Sequence, residues 1–171
     1  MNNTTLLITI AIFAFSIVAT IMMFLKADAQ KRKEEKTRQH ADKILTNKLM
    51  AYERMTLLIE RINPESLIIR EQAGADTALS MHTLLLRSIR QEFEHNVAMQ
   101  IYIEPKTWAL ILRAKEEIVK LINQTAKETD PKTPALVLGH SIIEDAPDKC
   151  GLYVRKALDA IRNDVNDLFQ S

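Results

Sequence analysis

Residues 6–25 read LLITIAIFAFSIVATIMMFL, twenty residues without a charge, whose polar members are Thr9, Ser16 and Thr20. At ~1.5 Å per residue a helix of this length covers roughly 30 Å, the thickness of a bilayer's hydrocarbon core. The stretch therefore predicts one N-terminal transmembrane helix. A cleaved signal peptide is the rival, because Ala27-Asp28-Ala29 matches a small-x-small cleavage pattern. However, no Lys or Arg precedes the run, Lys26 intrudes before the supposed site, and the run exceeds the ~7–15 residues of a signal core.

Charge then sets an orientation. Lys26, Lys31, Arg32, Lys33, Lys36 and Arg38 follow the span directly. Positive residues are retained on the cytoplasmic side. The expectation is a single-pass protein of the bacterial inner (cytoplasmic) membrane, N-terminus out, with residues 26–171 cytoplasmic. The same cations suit anionic headgroups, although Asp28, Glu34 and Glu35 interrupt them.

Composition agrees with an all-α reading. The 171 residues include three glycines, five prolines and one cysteine, with 47% hydrophobic and 26% charged residues. So few glycines leave no material for the turns of a barrel, a sandwich or a nucleotide-binding α/β unit. One cysteine excludes a disulfide framework or a Cys-based zinc cage. A net charge of +1 argues against a nucleic-acid binder.

Beyond the anchor at 1–25, residues 26–43 hold seven Lys/Arg and four Asp/Glu and read as a charged juxtamembrane stalk. A helical domain is expected over 44–128, a linker over 129–147 and a C-terminal amphipathic helix over 148–171. In a helix over 41–62, Ile44, Leu45, Tyr52, Met55, Ile59 and Ile62 share one wide stripe, with Met50, Leu57 and Leu58 outside it. Asn63-Pro64 stops that helix and opens a short second one. Asp76 or Thr77 caps a third, whose stripe is Leu79, Leu86, Ile89, Phe93 and Val97. Ile101-Tyr102-Ile103 reads as an extended link. Trp108, Ile111, Leu112, Ile118, Val119 and Ile122 line a fourth helix, and Val154, Leu158, Ile161, Val165 and Leu168 a last one. Residues 135–143 fit a strand or a helix equally. The 4–3 spacing in the last helix, and at Leu45–Leu49–Tyr52–Thr56–Ile59, resembles a coiled-coil seam but covers too few heptads. Helices packed into one small bundle fit better.

Several segments taken together, Ala51-Tyr52-Glu53-Arg54, Glu60-Arg61-Ile62-Asn63-Pro64, Ile89-Arg90-Gln91-Glu92-Phe93-Glu94-His95-Asn96, Trp108 and Ala114-Lys115-Glu116, carry a resemblance. They are similar to an uncharacterised family of bacterial single-span membrane proteins with a helical cytoplasmic domain. The resemblance covers about residues 1–125 and implies an architecture, not a reaction.

Candidate chemistry is sparse. Glu92-x-x-His95 has the spacing of a carboxylate–imidazole metal pair on a helix, but no second Glu-x-x-His accompanies it, and Glu92, Glu94 and His95 read first as hydrogen-bonding arginines on the surface or between helices. His82 in an apolar stripe reads as a hydrogen-bonded core histidine. Lys115, in the middle of the fourth helix's stripe, must run its stem along the core to water or meet a carboxylate. Cys150, beside Lys149 and a helix start, could have a lowered thiol pKa. No G-x-S-x-G, P-loop or GxGxxG motif occurs. The resulting expectation is a membrane-anchored interaction or scaffold protein without catalysis or cofactor, with the bilayer and either a second copy or another helical protein as partners. The alternative is a metal- or ligand-binding domain using Glu92 and His95.

Overall fold

The computed structural model describes residues 3–170 and is all-helical among them. Residues 1, 2 and 171, at the ends of the expected anchor and last helix, lie outside the described residues. Six α-helices follow in order: α1 (Asn3–Ile62), α2 (Pro64–Glu71), α3 (Ala78–Asn96), α4 (Pro105–Glu128), α5 (Ala135–Lys149) and α6 (Gly151–Gln170). Short 3-10 turns occupy Gln72–Gly74 and Val97–Tyr102. The chain divides into two compact units, residues 1–45 and 46–171.

In the first unit the apolar segment is long enough and apolar enough to cross a membrane, and its described side chains are all exposed. Thr20 donates its hydroxyl to the Ser16 carbonyl one turn back (2.8 Å), so this polar group is satisfied within the helix. The charged residues beyond it are tied by local pairs, Arg32 Nε to Asp28 (2.9 Å) and Gln30 to Glu34 (2.9 Å), each four residues apart on one helix face. Ile44 is exposed here, contrary to its place in the predicted stripe.

The second unit has its own core. α4 is its central helix, packing on α6, α5 and α3. Ile111, Ile118, Leu121 and Ile122 of α4 are buried with Leu138 and Ile142 of α5 and Val154, Ala157 and Ile161 of α6. Ala51, Tyr52, Met55, Leu58, Ile59 and Ile62 bury the part of α1 in this unit. Leu58 thus lies inside the stripe, not outside it. Met50 and Leu57 stay exposed as expected.

Pro64 occupies the first turn of α2 after Asn63, whose side chain makes no capping bond. Thr77 caps α3 reciprocally with Ser80. The buried face of α3 is Ala78, Met81, Leu85, Ser88, Ile89 and Asn96. Leu79 is exposed, so the true face is rotated from the predicted one. The expected extended link at 101–103 is mostly a 3-10 turn.

Residues 135–147, expected to belong to a linker, fall in α5, which buries Ala135, Leu138, Gly139 and Ile142. The segment before α5 is held by backbone bonds. Ala78 N–H donates to Thr133 O (2.7 Å) and Ala135 N–H to Asp76 O (3.0 Å) around a single bridge, Thr77 with Pro134. Pro147 lies within α5, which runs on to Lys149, so α6 starts at Gly151 and not at the expected residue 148.

Candidate functional site

The second unit carries a cleft of about 880 Å3 between α1, the end of α2 and α3. Met50, Arg54, Leu57 and Arg61 recur every three or four residues, so they share one face of α1 and form one wall. Ser88, Gln91, Glu92, His95 and Asn96 of α3 form the other, and Arg70 and Glu71 close the end.

Ion pairs organise the closed end. Arg61 Nε donates to Glu92 Oε1 at 2.6 Å. This hydrogen bond, and then the carboxylate's charge, raise the pKa of the Arg61 guanidinium. Arg70 Nε donates to Glu71 Oε1 (3.0 Å), and its Nη1 to the backbone carbonyl of Arg61 (3.1 Å). That carbonyl is in the last turn of α1, where no further helical N–H can reach it. Asn96 donates its amide to the Glu92 carbonyl at 2.8 Å. At the open end the pattern changes. Arg54 and Glu53 have no ion-pair or hydrogen-bond partner among the described residues.

Glu92 and His95 therefore do line one cavity. Yet Glu92 is engaged by Arg61, while His95 is exposed on the rim without a partner among the described residues. Among the described residues, no group of three or more His, Cys, Asp or Glu is placed to hold a metal ion.

The remaining candidates lie elsewhere. His82 is half-buried and shares a 2.8 Å hydrogen bond with Asn123 Oδ1. Lys115 takes neither a carboxylate nor a purely solvated position. Its ammonium sits 4.2 Å from the centre of the Phe93 ring, which stacks on Trp108 at 5.9 Å and 27°. A cation over an aromatic face is attracted by the ring's quadrupole. Cys150 is buried, and its thiol donates to the Ala146 carbonyl (3.4 Å). Burial, and next the Glu117 charge, push its pKa up to about 11. This corrects the lowered pKa expected from its neighbours in sequence and leaves a thiol, not a thiolate, at neutral pH.

Glu92 meets an arginine on another helix, as expected, and that arginine is Arg61, 31 residues away. One feature escaped the sequence. Tyr52 donates its hydroxyl to Asp164 Oδ2 (3.0 Å) and accepts the Glu104 N–H (3.4 Å), joining α1 to α6 and to the start of α4. Burial pushes the Tyr52 phenol up to about 12, with the Glu104 N–H acting against it and Asp164 with it. The only sequence signal for these contacts is a polar atom on a residue otherwise placed in the core.

A family of unknown function, DUF7935, matches residues 1–168 of this sequence. The chain belongs to DUF7935. Comparison with curated proteins and with solved structures found no match. The DUF7935 match spans both units, so the apolar helix and the helical unit that carries the cleft belong to one family unit.

Proposed function

We propose that this DUF7935 protein is a membrane-anchored helical interaction module that performs no catalytic step. The observation that carries the reading is residues 6–25, apolar on every side and exposed at every described side chain. A surface of that size has no place in water and fits a bilayer. The cations after it and the uncharged residues before it orient the chain with its N-terminus outside and the second unit on the cytoplasmic side of a bacterial inner membrane.

Interaction is favoured over chemistry by the state of the reactive groups. Glu92 and Glu71 are held by Arg61 and Arg70, and the one thiol is buried. A metal at Glu92 and His95 would have to displace Arg61 and would find two protein ligands where closed zinc sites use four. Met50 and Leu57, by contrast, are available at the mouth of the cleft.

Two measurements test the reading. In spheroplasts, an impermeant thiol reagent should leave Cys150 unlabelled, and lysis in denaturant should expose it; labelling before lysis under the same denaturing quench would reverse the orientation. Capture from native membranes should recover a partner with the wild-type chain and lose it with Leu57→Lys. Identical captures would remove the cleft as the interaction site.

A further inference from the structure

On α1, Met50 and Leu57 lie two helical turns apart and are half exposed, at 50% and 52%. Arg54 stands between them and Glu53 beside it, and neither finds an opposite charge among the described residues. Across the cleft, Ser88 is only 7% exposed and its hydroxyl makes no hydrogen bond among the described residues. No inaccessible side-chain polar atom there lacks a partner, so the Ser88 hydroxyl opens into the cleft. A nearly buried, unpartnered hydroxyl in the wall of a cleft is a place for a polar group from outside the chain.

The charge of the cleft narrows what that outside surface is. Three arginines line it against three glutamates. It has no net sign to gather a polyanion or a divalent cation. It suits a surface carrying both signs side by side together with a little apolar area. The Met50–Leu57 face of α1 is such a surface.

We propose that the cleft seats the same α1 face of a second copy of this chain, in a two-fold contact. Met50 and Leu57 then pack against their counterparts, and Arg54 of each copy meets Glu53 of the other. An isologous interface places one patch on itself. Adjacent opposite charges near the axis are satisfied twice by that symmetry, whereas two like charges there would repel. The inference rests on the anchored interaction module proposed above. Anchoring confines both copies to one surface and raises their effective concentration, which favours even a weak contact.

The test uses the full chain in membranes. A Leu57→Cys chain treated with a short bis-maleimide should give a dimer band, and the wild-type chain, whose Cys150 is buried, should give none. Adding Arg54→Glu should weaken the band about ten-fold, because two attractions become repulsions. Adding Glu53→Arg to that chain should restore it, which neither misfolding nor a general loss of adhesion can produce. A chain that stays in the membrane without a dimer band, or a band indifferent to the charge exchange, would overturn the proposal. A band joining Leu57→Cys to a different protein would also overturn it, while leaving the interaction module standing. Release of the wild-type chain from membranes by alkali would instead remove the anchored reading itself.

Discussion

Residues 6–25 and α4 are helices of similar length, twenty residues against 24, with opposite relations to solvent. In α4 the apolar side chains keep to one face, where Ile111, Ile118 and Ile122 are buried, and Lys106, Arg113, Glu116 and Lys120 lie exposed on the other sides. In 6–25 no side is reserved for water. Both form the same backbone hydrogen bonds, so helix formation alone does not separate them. The difference is the surface each offers: one apolar face turned to a protein core for α4, apolar residues on every side for 6–25.

That contrast breaks most readily at the span. Phe15→Lys with Ile17→Lys puts two charges near its centre, each costing ~2.5–3.5 kcal/mol of insertion. The double variant should leave the alkali-resistant membrane fraction. If it remains there like the wild type, the two helices do not differ in the way described.

In α4 the expected losses follow burial. Ile118→Ala removes a fully buried core side chain and should cost about 3 kcal/mol, read as a lowered Tm by circular dichroism of the detergent-solubilised chain. Trp108→Ala should cost only about 1–2 kcal/mol despite its size, since Trp108 is half-buried and its main loss is the stack on Phe93. Equal losses at the two sites would show that the edge of α4 is as tightly packed as its middle.

Legibility in the sequence followed the same contrast. The apolar segment was readable because twenty uncharged residues have one common explanation. The α4 stripe was readable because large aliphatic residues repeat at helical spacing. The face of α3 was misplaced because small and polar residues, Ala78, Ser88 and Asn96, are buried on it while Leu79 is exposed, and a count of apolar residues follows the wrong side. α5 was ambiguous because Leu136 and Val137 are exposed while Gly139 is buried, so apolar character does not track its inner face. The cleft was invisible in advance. Glu92 and His95 were singled out for their mutual spacing, but the partner that governs Glu92 is Arg61 on another helix.

The smallest expected effect concerns Tyr52. Tyr52→Phe should cost about 1 kcal/mol at neutral pH by removing its bonds to Asp164 and Glu104. It should also change the alkaline limb of a stability–pH curve. The unfolded phenol loses its proton near 10, whereas the folded one holds it to about 12. The folded state therefore binds more protons in that window, and stability falls as pH rises through it. In Tyr52→Phe that part of the fall should vanish, leaving the decline due to Cys150, which begins near 9 and has the same sign. An unchanged alkaline limb would mean that the phenol is not held as described.

Gly139 gives the packing an elastic reading. A Cβ built there would stand 3.0 Å from Ile68 Cγ2 of α2 and 3.7 Å from Met81 Cε of α3. Alanine in its place gains helix propensity of about 0.5–1 kcal/mol, while its methyl presses on the tip of Ile68. The balance depends on how far α2 and α5 spread per unit of force. Position 139 is therefore a strain gauge set between two helices, and the sign of one methyl's effect reads the stiffness of the wall behind the cleft.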